Sequence, residues 1–160
     1  MTGNTHILGG IASSLAFVQI THYYDPIIVV GASVFGALLP DICHTGSKIG
    51  KTFPTISKIV NIVFGHRTLT HSLLFLMIMA IVMTRYIANE SIIAGIIIGI
   101  ISHYVLDMFT KKGIMLFFPL NIMVRFPITT RTGSKTENFV AVLLSLLSLY
   151  LGYETIIHSI

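Results

Sequence analysis

The chain has no tryptophan, a single cysteine and few charged side chains, which make up 10% of its 160 residues. Soluble globular proteins average about 25% charged residues, so this composition leaves too little charge for a soluble enzyme, a disordered chain or a coiled coil. The lone Cys43 excludes an intramolecular disulfide. Residues 1–6 contain no lysine or arginine, so the first apolar stretch does not have the pattern of a cleaved signal peptide.

Hydrophobic residues are abundant, at 54% of the chain, and the mean hydropathy is +0.87. This composition indicates a membrane protein. A helix that crosses the apolar core of a bilayer needs about 20 apolar residues. Three segments reach about that length: Leu69–Ile87, Ile92–Phe109 and Phe139–Ile157.

Two earlier apolar segments, Ile7–Tyr24 and Ile27–Leu39, are more polar or shorter. Asp25 and Pro26 lie between them and have the pattern of an N-cap followed by proline at the first helical position, which predicts a tight helical hairpin. Pro40 is expected to end or kink the second helix. We therefore predict an all-α fold: a single polytopic bundle over residues 1–160 with about five membrane helices, of which the first two are short.

Basic residues fall almost entirely on one face of such a bundle. Nine of the ten lie in the segments that alternating helices place on the side of the N-terminus, and only Arg85 lies near the other side. This asymmetry predicts that the basic face, together with the N-terminus, is cytoplasmic. The net charge of +4 therefore indicates topology and attraction to membrane lipids, and not binding to nucleic acid. Residues 45–64 and 113–131 are expected to lie along the interface or to re-enter it.

Histidines and aspartates also collect on the basic face. Ionisable groups are expensive in a membrane and are usually kept there for a function. Seven such residues are expected at one membrane depth: His6, Asp41, His44, His66, His71, His103 and Asp107. The other two histidines, His22 and His158, are interpreted as packing residues.

The spacing of these residues favours a shared metal site. His103 and Asp107 are four residues apart and project from one helix face, although this pair alone could equally be a hydrogen bond between packed helices. Asp41 and His44 can converge if the chain is helical after Pro40. Imidazole together with carboxylate suits zinc, manganese or iron.

Two further features depend on how the helices begin and pack. His66 and His71 converge only if His66 precedes the third membrane helix, with Thr68 or Thr70 as a possible cap. Gly95 and Gly99 form a GxxxG pattern, which predicts a close contact between helices.

Several motifs resemble the YdjM-like family of membrane-bound metal-dependent hydrolases. They are Thr5-His6, the run from Leu39 to His44, the run from His66 to Ser72, and the run from Ser102 to Asp107 with Lys112-Gly113 and Phe118-Pro119. They cover residues 5–119, about three quarters of the chain. The family commonly has an aspartate at the position of Cys43. Either that position is not an essential ligand, or a thiolate replaces the carboxylate and favours zinc.

The resemblance implies a helical fold distantly similar to zinc-dependent phospholipases C and a site of about one to three zinc ions. It implies that the seven residues named above are ligands or lie next to ligands. We expect hydrolysis of a phosphoester of a lipid or lipid-like substrate, because a bound metal lowers the pKa of water and neutralises phosphoryl oxygens. Asp41 or Asp107 is the expected general base, and Arg67 is a candidate phosphate contact or an interfacial anchor.

Two other functions fit the same residues. A metal or proton transporter would use them as a pathway, and a structural membrane protein would use a metal only to hold short helices together. Transport predicts polar residues strung across the membrane, whereas hydrolysis predicts a cluster that opens to one side.

Overall fold

The computed structural model describes residues 1–22 and 24–157. Over these residues the fold is all-helical, as predicted. It contains seven α-helices: α1 (Gly3–Thr21), α2 (Pro26–Leu38), α3 (Lys48–Thr52), α4 (Pro54–Phe64), α5 (Leu73–Tyr86), α6 (Glu90–Met108) and α7 (Lys135–Ile157). Two 3₁₀ turns, Leu39–Cys43 and Leu69–His71, precede α3 and α5.

The predicted helical hairpin between α1 and α2 is present. The Asp25 carboxylate accepts hydrogen bonds from the backbone N–H groups of Ile27 and Ile28, at 2.9 Å and 3.1 Å, and Pro26 is the first residue of α2. Pro40 changes the helix from α to 3₁₀ without stopping it, because the chain continues as the turn Leu39–Cys43. The short second helix is thereby extended towards the polar residues that follow it.

The central helices alternate in direction, so one end of the bundle collects the N-termini of α1 and α7 and the C-termini of α2 and α6. At that end Thr5 contacts Glu137, and His103 contacts the Ala37 carbonyl. At the opposite end Gln19 donates to the Leu151 carbonyl at 2.8 Å. We call the end with the N-termini of α1 and α7 the polar end.

Small residues allow α2 and α6 to pack at backbone distance, as the GxxxG pattern predicted. A Cβ added at Gly99 would lie 2.2 Å from the Ser33 carbonyl oxygen, and one added at Gly36 would lie 2.3 Å from the Ile96 carbonyl oxygen. Ser33 also donates to the Gly10 carbonyl at 3.2 Å and contacts the Ser14 hydroxyl at 3.0 Å, which joins α1 to the same pair. Close backbone approach and hydroxyl bonds are typical of helix association in membranes.

Three helical segments are long and apolar enough to cross a membrane: Pro26–Cys43, Glu90–Met108 and Lys135–Ile157. The helices Pro54–Phe64 and Leu73–Tyr86 are apolar but shorter. Outward-facing leucines of α7, such as Leu146 and Leu149, are exposed on the bundle surface, as expected where lipid covers the protein. The chain is therefore a membrane protein, and five crossings remain a prediction.

The two segments expected at the interface differ from each other. Within 45–64 the chain forms α3 and α4, and Ser57 and Asn61 of α4 face the protein while Ile59 and Ile62 face outwards. This inverted polarity fits a helix that lies in lipid at the polar end. Residues 113–131 instead form an irregular arm. Single bridges pair Thr110 with Thr130 and Ile114 with Val124.

The expected start of the third membrane helix was wrong by one turn. The helix α5 begins at Leu73, and the Ser72 hydroxyl, not Thr68 or Thr70, caps it by accepting from the Phe75 N–H at 3.2 Å. His66 lies in the preceding loop, as the convergence argument required.

Substitution of Gly99 tests the close α2–α6 contact. We expect Gly99→Ala to lower the free energy of unfolding in detergent by about 1–3 kcal/mol, because the added methyl overlaps the α2 backbone. Gly31→Ala is the matched control: a Cβ there meets nothing within 4 Å. It should raise stability by roughly 0.5–1 kcal/mol through helix propensity alone. Equal effects of the two substitutions in thermal unfolding would contradict the contact.

Candidate metal centre

Five of the seven predicted ligand residues converge at the polar end of the bundle. The structure brings together His6 from α1, Asp41 from the first 3₁₀ turn, His71 from the second, and His103 and Asp107 from α6. They form two overlapping groups, His6–Asp41–His103 and His71–His103–Asp107, in which the candidate ligand atoms lie within 4.8 Å of one another. His103 belongs to both groups.

The second group has the dimensions of a metal site. The His71 and His103 Nε2 atoms are 3.1 Å apart, and Asp107 Oδ2 lies 3.6 Å from the first and 3.8 Å from the second. Two ligand atoms at about 2.1 Å from a tetrahedral ion are roughly 3.4 Å apart. By these distances the three side chains can share one ion.

A carbonyl group of α2 orients the His103 ring. His103 Nδ1 lies 2.7 Å from the Ala37 carbonyl oxygen and donates a hydrogen bond to it. This bond places the proton on Nδ1 and leaves the Nε2 lone pair directed towards His71 and Asp107. A histidine held in this way by a backbone carbonyl is characteristic of metal ligands.

His71 is fixed by its own loop. The Thr70 hydroxyl lies 3.1 Å from His71 Nδ1, and the Tyr104 hydroxyl of α6 donates to the Thr70 and Ser72 carbonyls, both at 3.0 Å. Burial lowers the pKa of His71, but hydrogen bonds to Asp107 and to Cys43 outweigh it and raise the pKa to about 9. Binding of a metal at Nε2 would therefore release a proton at neutral pH.

Asp107 is the central anion of the cluster and is only 1% exposed. Arg67 Nη2 lies 2.9 Å from its Oδ2, and His6 Nε2 lies 3.3 Å from its Oδ1, an oxygen that also contacts the Met1 amino group. Arg67 Nη1 donates to the Thr110 hydroxyl at 2.6 Å and to the Gly113 carbonyl at 3.2 Å. The Arg67 guanidinium is thus engaged mainly by the protein, which favours a role in holding Asp107.

Some polar atoms of the cluster are buried without a hydrogen bond. Among the described residues these include both ring nitrogens of His6, and Oδ2 of Asp107, whose 2.9 Å contact with Arg67 Nη2 is an ion pair. Burial of a polar atom that makes no hydrogen bond costs about 1–3 kcal/mol. A cation beside Asp107 would satisfy Oδ2 and the His6 nitrogen that faces it, Nε2, so the residues present fit a divalent metal.

His44, His66 and Cys43 form an outer group beside the five. The His44 and His66 rings are 5.0 Å apart between centroids and both residues are exposed, whereas Cys43 is buried. Cys43 Sγ lies 3.3 Å from His66 Nδ1. His44 and His66 therefore lie at the mouth of the cluster and not among its closest ligand atoms.

A cleft of about 530 Å³ at the polar end reaches the cluster at Asp41, which is the member of the five that lines it. We call it the cationic cleft, because Arg67, Lys111, Lys112 and Arg131 line it together with His44 and His66. Asp41 is the carboxylate among its described lining residues and is 13% exposed at the side chain, with Oδ1 at 3.9 Å from His103 Nε2. Three of the seven predicted residues, Asp41, His44 and His66, therefore border an open, positively charged space.

Sequence reasoning missed one buried carboxylate near the site. Glu137, in the first turn of α7, accepts hydrogen bonds from the Thr5 hydroxyl at 2.8 Å and from the Gly133 N–H at 2.6 Å. These bonds attach α7 to the residue before His6. The available signal was a glutamate two residues before the apolar segment that begins at Phe139. The packing residue His22 caps α1 at the other end, and His158 lies outside the described residues.

Comparison with known proteins places these residues in a family. Residues 1–160 match the family described as YdjM inner membrane protein. The chain is 51% identical over 155 residues to the Bacillus subtilis protein YvsG, covering 96% of this chain and 95% of that protein. It is 30% identical over 167 residues to the Escherichia coli inner membrane protein YdjM, covering 96% of this chain and 84% of that protein. No solved structure matches the chain.

Loss of His103 tests the metal centre, because this residue belongs to both groups. Protein purified without a polyhistidine tag is expected to hold at least one equivalent of transition metal, most of it zinc, by elemental analysis. His103→Ala and Asp107→Asn should each weaken binding more than the roughly 10–100-fold that loss of an outer hydrogen bond costs a metal site. His22→Ala, at the opposite end, should bind normally. Folded wild-type protein that binds no metal would refute the assignment.

Proposed function

The chain belongs to the YdjM inner membrane protein family, and we propose that it is a metal-dependent hydrolase that cleaves a phosphoester of a lipid or lipid-like substrate. One observation carries the proposal: the cationic cleft adjoins the His and Asp cluster at Asp41. Imidazole and carboxylate ligands fit a transition metal, and surrounding lysine and arginine fit a phosphate group.

The protein residues divide into three roles. His71, His103 and Asp107 hold the metal, of which zinc fits the donor set best. Such an ion supplies Lewis-acid chemistry, since it lowers the pKa of water and neutralises charge on phosphoryl oxygens. Arg67 keeps the Asp107 carboxylate in position and adds positive charge at the cleft wall.

Asp41 is the best candidate for the general base. Its carboxylate lines the cleft, whereas Asp107 is enclosed by His6, His71 and Arg67. A base must reach the proton that it removes within hydrogen-bond distance, and only an accessible carboxylate can meet a water molecule in the cleft. Lys111 and Lys112, both exposed, would attract the anionic headgroup.

The distribution of ionisable groups supports hydrolysis over transport. Between their ends, α1, α2 and α6 have no Asp, Glu, Lys, Arg or His: α1 has only His6, α2 has none, and α6 has Glu90 at its start and His103 and Asp107 near its end. A proton or metal pathway would require such groups at intermediate depths. A metal that only stabilises the fold would not require the adjoining cleft.

We place the polar end at the cytoplasmic face, because nine of the ten basic residues lie in segments on its side. Cysteine labelling in a Cys43→Ser background tests this orientation. Lys51→Cys and Lys135→Cys should react from the cytoplasm, and Arg85→Cys, at the end of α5, should react from the other side. Labelling of Lys51→Cys and Lys135→Cys from opposite sides would contradict both the orientation and the helix count.

Replacement of Asp41 tests its catalytic role. With phospholipids and polyprenyl phosphates as substrates, we expect Asp41→Asn to reduce kcat by about 10²–10⁴-fold, since loss of general-base catalysis has this size. Asp25→Asn is the matched control: it lies at the opposite end, and asparagine is also a good N-cap. Full activity in Asp41→Asn would remove Asp41 as the base. Failure of metal-loaded protein to hydrolyse any phosphoester would refute the proposed function.

A further inference from the structure

A second, apolar depression adjoins the cationic cleft. It has a volume of about 390 Å³ and lies between the C-terminal end of α6, the start of α7 and the chain around residue 128. We call it the tail groove and define it by five of its lining residues, Leu106, Phe109, Ile128, Phe139 and Val140. Met1 and Thr130 line both the cationic cleft and the tail groove, so the two spaces lie side by side.

Two neighbouring residues of α6 belong one to the metal cluster and one to the tail groove. Asp107 belongs to the metal cluster, and Leu106 belongs to the tail groove. The arm that separates the two openings is held against α6, since Thr130 N–H donates to the Phe109 carbonyl at 2.8 Å and Lys111 N–H donates to the Thr130 carbonyl at 3.1 Å. A molecule that lies across Thr130 therefore meets cations on one side and hydrocarbon on the other.

The groove also lies where a membrane lipid would lie. The candidate span Glu90–Met108 ends beside it, and Phe139 is near the start of the span Lys135–Ile157. Its described lining residues include no charged side chain, whereas the cleft beyond Thr130 has Lys111, Lys112 and Arg131. An amphiphile can therefore keep its hydrocarbon in the apolar layer while its headgroup reaches the cations.

We propose that the tail groove binds the hydrocarbon tail of an anionic amphiphile whose phosphate group lies in the cationic cleft. This inference rests on the proposed function for the assignment of the phosphate, and it adds the part of the substrate that the metal centre does not contact. The charge of the cleft selects an anionic head over a zwitterionic or neutral one. The volume is at the lower end of the range of ligand pockets, which suits one tail and not two.

The absence of tryptophan makes a direct binding test possible. Phe139→Trp places a single fluorescent reporter in the groove. Dodecyl phosphate with bromine on its tail should quench this reporter saturably in a nonionic detergent, and unlabelled dodecyl phosphate should reverse the quenching. Inorganic phosphate at the same concentration should reverse it at least tenfold less, because it lacks the tail.

Two variants provide controls. Val142→Trp places the reporter on the same helix at an exposed position outside the groove. It should show only the non-saturating quenching of a detergent-facing residue. Val140→Phe, in the Phe139→Trp background, should fill the groove and weaken binding of the brominated probe at least tenfold. If Phe139→Trp does not fold, Ile128→Trp reports from the opposite wall.

The length of the tail gives a quantitative expectation. Each methylene buried from water improves binding roughly fourfold, so affinity across butyl to dodecyl phosphate should rise with each carbon, by at most about that factor in detergent, until the groove is full. Affinity that does not depend on tail length, or equal quenching at positions 139 and 142, would overturn the proposal. A neutral dodecyl detergent that displaces the probe as well as dodecyl phosphate does would also overturn it.

The binding test separates this proposal from the proposed function. Saturable, tail-dependent binding without hydrolysis of any phosphoester supports the groove and refutes the hydrolase. Hydrolysis at a rate that does not depend on tail length, with no saturable quenching, supports the hydrolase and refutes the groove. If Val140→Phe instead halves the mass of the protein in detergent and leaves quenching unchanged, the groove is a contact between two copies of the chain and the proposal fails.

Discussion

The structure depends on how the charge of Asp107 is compensated. A carboxylate that is 1% exposed at the end of an apolar helix requires positive or hydrogen-bonding partners, because an unpaired buried charge is strongly destabilising. His6 approaches it from α1, and His71 and Arg67 approach it from the loop before α5. The requirement of this one group therefore fixes where α1, the loop before α5 and α6 meet.

The small-residue packing of α2 and α6 serves the same centre. Contact at Gly36 and Gly99 brings the backbone of α2 close enough for the Ala37 carbonyl to accept the His103 hydrogen bond. Larger residues at these positions would separate the helices and leave His103 without its orienting partner. Helix packing and the orientation of His103 thus both depend on the short distance between the backbones of α2 and α6.

The sequence predicted the features that depend on local spacing or on the free-energy cost of placing an ionisable side chain in lipid. The Asp25–Pro26 helix start, the close contact at Gly99 and the gathering of His6, His71 and His103 at one end all follow from such rules. What it did not predict depends on tertiary contacts. Ser72 caps α5 because the loop before it bends to bring His71 inwards, and the irregular arm of residues 113–131 is set by pairing with distant backbone, which has no periodic pattern.

The short helix α5 has a mechanical consequence for the surrounding bilayer. Its 14 residues extend about 21 Å at 1.5 Å per residue, well short of a hydrocarbon core of about 30 Å. If α5 spans, such mismatch is relieved by local thinning of the bilayer or by flanking polar side chains that reach out to the interface. A thinned bilayer beside His71 would bring headgroups down to the depth of the cluster, so that membrane thickness itself would control access to this protein.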